Sequence, residues 1–171
     1  PVLHPGSRRA RLTSVKENTL ARRRTTLLPD PEPAERTYTI ISVDDHLIEP
    51  ADLFEGRVPR QLAAEAPRVV TDPDGTECWT YEGRRYPQVG LNAVAGRPKD
   101  EWSMEPARFD EMRPGCWSSD ARVRDMDLDG VYASLCFPSL IAGFAGTVFS
   151  ASENPELGLA CVRAWNEWHA E

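Results

Sequence analysis

Apolar residues along this chain gather into three dense stretches separated by long polar ones. The first is Ile40-Ile41-Ser42-Val43, inside YTIISVDDH. Its β-branched density predicts a strand buried on both faces, and Pro50 in LIEPADLF stops regular pairing. From residue 50 to residue 118 the pattern turns polar. Within that region ECWTYEGRRYPQV places Trp79 and Tyr81 before Glu82-Gly83 and Tyr86 after it, which predicts a hairpin. LNAVAGRPKDEW and FDEMRPGCW carry Gly and Pro at loop density. A connection of about 70 residues between core elements far exceeds the usual few, and segments of that size build or cover sites.

Regular spacing returns in SSDARVRDMDLDGVYASLCFPS. Ser119 is the expected helix cap with Asp120 in the first turn. Val123, Met126 and Leu128 are expected to point inward, and Gly130 suits the stop. VYASLCF then predicts a second buried strand, closed by Pro138, and IAGFAGTVFSASE reads as a glycine-bearing loop. NPELGLACVRAWNEWHAE predicts an amphipathic helix. Asn154 is its cap, Pro155 its first residue, and Leu157, Cys161, Ala164, Trp165 and Trp168 share one face.

Strand, insertion, helix, strand, helix is the opening of an α/β fold with parallel strands. Parallel sheets are covered on both faces, and two strands do not suffice. Leu157, Trp165 and Trp168 on the last helix are expected to be exposed, with too few partners left in the chain to cover them. The expectation is the N-terminal portion of a TIM-type (β/α)8 barrel, with a long loop and hairpin insertion after the first strand.

Composition narrows the function classes. At 171 residues the chain is one domain's length and too short for a whole barrel of roughly 250 residues. No apolar run approaches the roughly 20 residues that cross a bilayer, so no membrane partner is expected. The net charge of −7 is unevenly spread. Residues 1–36 hold eight Lys and Arg against four acids, while the remainder holds 12 against 23. An acidic body argues against nucleic acid as a partner. Residues 1–36, with Arg22-Arg23-Arg24 and a Pro-Asp-Pro-Glu-Pro linker, are expected to be a disordered basic tail before an ordered region at 37–171. The opening Pro1 suggests processing or a fragment. Cys78, Cys116, Cys136 and Cys161 have no zinc-knuckle spacing, so free thiols are expected. With no signal-peptide apolar region, the expected location is cytoplasmic.

Candidate chemistry sits where the first strand ends, in ISVDDHLIEP. Ionised carboxylates are costly to bury unless paired or bound to a cation. Strand alternation sends Asp44 and His46 to one side and Asp45 to the other. Asp-x-His at a strand's C-terminal end offers an oxygen and a nitrogen donor to one divalent cation, or an acid orienting an imidazole. An ordinary hydrogen-bonded His46, with Asp44 or Asp45 capping the next turn, fits the same spacing. Glu49, just beyond, reads as a further ligand, a proton-transfer group or a surface residue. In the insertion Arg84, Arg97 and Arg113 are candidates for a substrate carboxylate, or for ordinary pairing with the many local acids. Ser139 and Pro138 at the second strand's end either line a pocket or simply stop the strand.

Four segments, ISVDDHLIEPADLFEGRVP, YEGRRYPQVGLNAVAGRP, RFDEMRPGCW and DMDLDGVYASLCFPS, together resemble the N-terminal part of the amidohydrolase-related family. That is the family of 2-amino-3-carboxymuconate-semialdehyde decarboxylase and its relatives. The likeness covers about residues 38–171 and leaves out the tail. It implies a barrel with one divalent metal at the C-terminal strand ends, zinc by preference and manganese as the second choice. The first-strand ligand pair falls on Asp44 and His46, with an acid standing where a first histidine is common. The resemblance also implies a small carboxylated or cyclic substrate, hydrolysis or decarboxylation, and a homo-oligomeric full-length enzyme. Further ligands of such sites come from later strands, so this chain by itself is expected to be inactive. The competing expectation is a non-catalytic binding or dimerisation module.

Overall fold

The computed structural model describes residues 26–33, 35–102 and 106–171. Residues 1–25, including the arginine cluster of the expected tail, lie outside the described residues. Residues 26–33 form no helix or strand, and Leu28 N–H donates to the Gly96 carbonyl at 2.7 Å.

The chain runs β1 (Ile40–Leu47), β2 (Arg68–Thr71), β3 (Glu77–Tyr81), β4 (Arg84–Tyr86), α1 (Ser119–Asp129), β5 (Val131–Pro138), α2 (Thr147–Ser150) and α3 (Pro155–Ala170). Among the described residues, β1 pairs with β5 in parallel, and β2-β3-β4 form an antiparallel sheet. This is a mixed α/β fold with one parallel strand pair, and the described residues close no barrel. The β3–β4 hairpin turns at Glu82 and Gly83, both at positive φ (48° and 71°), as a tight two-residue turn requires. β2 is a third strand that the sequence pattern did not mark.

The polar-looking insertion carries the core. Leu53, Phe54, Val58 and Leu62 are buried with Trp79 and Tyr81 of β3, and α3 closes the cluster with Leu157, Cys161 and Ala164. Phe54 meets Trp79 and Phe149 edge to face with centroids 5.7 Å apart in each case, and Tyr81 meets Phe149 at 5.5 Å. Rings in this arrangement add about 0.5–1.5 kcal/mol beyond their area burial. The expectation that Leu157 lacks partners is therefore overturned: it is fully buried, and Trp165 and Trp168 pack against the same cluster. Isolated apolar residues at irregular spacing hid this core, because it is built from turns rather than from a periodic element.

The two strands expected to be buried are open instead. Ile40, Ile41 and Val43 of β1 and Tyr132 and Leu135 of β5 are all exposed, Val43 at 70%. The register explains part of this. Ser42 faces Ser134 and Asp45 faces Cys136, so Val43 and Asp44 together oppose Leu135 in a β-bulge. No second layer covers both faces of the pair among the described residues.

Local helix chemistry largely matches expectation. The cap of α1 is Ser118 rather than Ser119, its hydroxyl accepting from Ala121 N–H. Gly130 ends that helix at φ 77°. Val123 is exposed rather than inward, and Ala121 is the buried residue of α1. Asn154 caps α3 through Glu156 and Leu157 N–H, with Pro155 first in the helix. The expected glycine loop after β5 contains α2, whose Phe149 is buried.

Candidate functional site

β1 delivers its polar residues at its C-terminal end, beside β5. The Asp44 carboxylate and His46 Nε2 lie 3.9 Å apart, and both side chains are more than half exposed. His46 Nδ1 is 3.1 Å from the Pro138 carbonyl. A carbonyl oxygen only accepts, so this hydrogen bond puts a proton on Nδ1, and in the neutral ring Nε2 then presents its lone pair.

Asp45 points the other way and is fully engaged. Its carboxylate pairs with Arg122 of α1, accepts from the Ser134 hydroxyl at 2.7 Å, and accepts from His46 N–H at 2.9 Å. Burial works to raise the Asp45 carboxyl. The Arg122 and Ser134 hydrogen bonds, with the Arg122 charge, outweigh that effect and hold it below the ordinary value. Asp45 therefore fastens β1 to α1 and β5, while the side chains of Asp44 and His46 lie outside that network.

Glu49 is fully buried. One carboxylate oxygen accepts from Ser139 N–H at 3.0 Å and the other from Leu140 N–H at 3.2 Å. Burial pushes its carboxyl up, and the backbone donors oppose the shift. Ser139 in turn donates its hydroxyl to the Leu47 carbonyl at 2.9 Å. Ile48, Met112 and Cys116 form a small apolar cluster next to this end of the strand, and Ile48 N–H donates to the Cys116 carbonyl.

A cavity of about 400 Å³ opens beside His46, walled by Ile48, Asn92, Cys116, Arg122 and Ser139. That volume suits a small molecule. A hollow of about 480 Å³ between residues 28–31 and α1 is larger, but it contains no imidazole. Of the two, only the smaller touches a candidate metal ligand, His46.

The arginine candidates each have a partner in the fold. Arg113 forms a two-pronged pair with Asp125 at 2.8 and 2.7 Å and a further pair with Asp30 at 2.7 Å, and the Asp125 hydrogen bond raises its pKa. Arg97 is buried and donates to the Glu111 carbonyl, and Arg84 sits on the surface near Glu153. None of the three lines the His46 cavity, whereas Ser139 does. Arg122 and Asn92 are wall residues that the sequence reading did not single out. Arg122 belongs to a helix with a weak apolar stripe and Asn92 to a Gly- and Pro-dense loop, so neither carried a periodic signal.

The donor pair suits a divalent ion as part of a site. A carboxylate and an imidazole are both ordinary zinc and manganese ligands. Their 3.9 Å separation is a few tenths of an ångström beyond the roughly 3.4 Å that a tetrahedral ion with ligands near 2.1 Å sets, within reach of two exposed side chains. Among the described residues no cluster of three or more His, Cys, Asp or Glu side chains is placed to hold a metal. All four cysteines are free thiols. No helix among the described residues is long and apolar enough to cross a membrane.

No family model matches the chain, and no curated protein matches it. Among solved structures, it is similar to the crystal structure of an amidohydrolase from Mycobacterium avium subsp. paratuberculosis K-10. The two share 19% identity and superpose with a TM-score of 0.52, covering 77% of this chain and 38% of that one. The fold class is thus that of a mixed α/β chain resembling part of an amidohydrolase. The chain spans well under half the length of that protein.

Proposed function

We propose that this chain is the first-strand portion of a metal-dependent enzyme of the amidohydrolase type, and that Asp44 and His46 supply part of its metal site. The observation that carries this reading is the shared side of the strand end on which the two donors stand. Nε2 is left bare because Nδ1 is tied to Pro138. The fold likeness supports it, since enzymes of this architecture place their chemistry at the C-terminal ends of strands.

When bound, zinc or manganese would acidify a water and polarise a substrate oxygen. The chain's own residues orient and enclose. Asp45, held to Arg122 and Ser134, fixes the strand so that its neighbours face outward together. Ile48 and Cys116 give the cavity an apolar wall, and Asn92 with Ser139 gives it polar atoms. A small substrate with one polar end and a carbon skeleton fits such a lining, for hydrolysis or for decarboxylation. A polypeptide carrying this segment with further strands would separate the two by carbon dioxide release against amide or ester cleavage.

Two protein donors hold a cation weakly, so the chain by itself is expected to bind metal without turning over substrate. The test is isothermal titration of the 171-residue chain with zinc and with manganese, read alongside the His46 ring resonances. Binding should broaden or shift His46, and Asp44→Asn or His46→Ala should each weaken it by roughly tenfold or more. An unchanged His46 in the presence of excess metal would sink the reading. A second reading, a non-catalytic binding or dimerisation module, is favoured by the exposed apolar residues of β1 and β5. Metal-independent dimers with a silent His46 would support it.

A further inference from the structure

Glu49 is the buried acid that the proposed chemistry leaves without a task. Its carboxylate reaches the residues just after β5, while the imidazole of His46 reaches the end of β5 itself. The two contacts meet on one peptide unit. The N–H of Ser139 and the carbonyl of Pro138 belong to the same planar amide, which resonance keeps rigid and trans. The Ser139 N–H donates to Glu49 at 3.0 Å, and the Pro138 carbonyl accepts from His46 Nδ1 at 3.1 Å. In a trans amide these groups lie on opposite edges, so the peptide is gripped from both sides. The second Glu49 oxygen takes Leu140 N–H, and the Ser139 hydroxyl holds the Leu47 carbonyl, so neighbouring hydrogen bonds brace the amide against β1.

The geometry points to Glu49 as a positioning residue for His46, acting through the Pro138–Ser139 peptide. A carboxylate that accepts from an amide N–H draws charge toward the amide's oxygen, making that oxygen a better acceptor. A stronger acceptor holds the proton on Nδ1 and so, in the neutral ring, keeps the Nε2 lone pair available. Carboxylate partners of ligand histidines act in this way by direct contact; here one backbone amide stands between acid and ring. This inference rests on the proposed ligand role of His46 only for its consequence in metal binding. The tautomer effect exists with or without an ion.

The test is long-range proton–nitrogen correlation of the imidazoles in the 171-residue chain, above the pH at which they charge. Only His4, His46 and His169 have to be told apart. The Nδ1–H form of His46 should predominate, and an Nε2–H majority in the unmodified chain overturns the proposal. Glu49→Gln keeps the shape but turns an amide NH2 toward one of the two backbone donors. It should mix the tautomers and weaken zinc binding about tenfold, whereas Ser139→Ala, which keeps its N–H, should leave the Nδ1–H form in place. A folded Glu49→Gln chain with an unchanged tautomer overturns the proposal. Should that variant fail to fold, zinc added to the unmodified chain decides. The Ser139 amide must shift more than that of Leu140, which shares Glu49 but not the gripped peptide, and equal shifts overturn it. Tautomer mixing in Glu49→Gln without zinc binding in either chain would uphold the positioning role while removing the metal-site reading.

Discussion

Three consecutive residues, Asp44, Asp45 and His46, divide their work by strand alternation. Asp45 turns toward α1 and pairs with Arg122, while its neighbours turn away. Because its folded pKa is held below the ordinary 3.8, the charged form stabilises the fold. That contribution is present above about pH 4 and is lost as pH falls through the lowered value. Asp45→Asn, which leaves Arg122 without its charge partner, should therefore cost about 1–3 kcal/mol at pH 7. The gap between variant and parent should narrow once the pH is taken below the ordinary 3.8 and through the lowered value of the parent's carboxylate. Urea unfolding at both pH values checks this, and a gap independent of pH would contradict the assignment. At this scale the sequence was informative. Alternation alone separated Asp45 from Asp44 and His46, whereas the partner of Asp45 on α1, 77 residues away, could not be read locally.

Among the elements, α3 shows where packing overrides propensity. Glycine inside a helix ordinarily gives way to alanine with a gain of about 1 kcal/mol. At Gly158 an added Cβ would lie 2.3 Å from the Phe149 carbonyl oxygen and 2.9 Å from the Ser152 Cβ. The nearer contact is backbone, so α2 and α3 would have to separate. Gly158→Ala is expected to destabilise by a net 1–3 kcal/mol or so. Leu159→Ala, at the neighbouring half-exposed position, should change stability by no more than about 0.5 kcal/mol. Thermal unfolding of the two variants makes the comparison, and a stabilised Gly158→Ala would refute the close approach. Caps and stops such as Asn154, Pro155 and Gly130 were legible because they act within one turn of chain. Leu53, Phe54 and Leu62 were not, since their burial depends on β3 and α3 closing over them.

For the whole molecule, the exposed strand pair is the feature with consequences. Val43 and Leu135 sit opposite one another at the bulge, both solvent-exposed and both apolar. Contiguous exposed apolar surface favours association, and unpaired strand edges template further pairing. The chain should bind a hydrophobic dye and sediment as concentration-dependent oligomers. Replacing Val43 and Leu135 together by serine should reduce both effects while moving the unfolding free energy by only about 0.5 kcal/mol per site. Unaltered association in the double variant would place the sticky surface elsewhere. The sequence by itself determined, though not β2 or α2, the elements β1, α1, β5 and α3 in their order, the β3–β4 hairpin turn, the Asn154 cap and the one strand end crowded with acid and imidazole, because each is set by residues within a few positions of one another. Tertiary structure alone decided that the insertion holds the core, that the strands stand open, and that Glu49 meets His46 across a single amide. Those outcomes depend on which distant surfaces come together, and no local spacing encodes that.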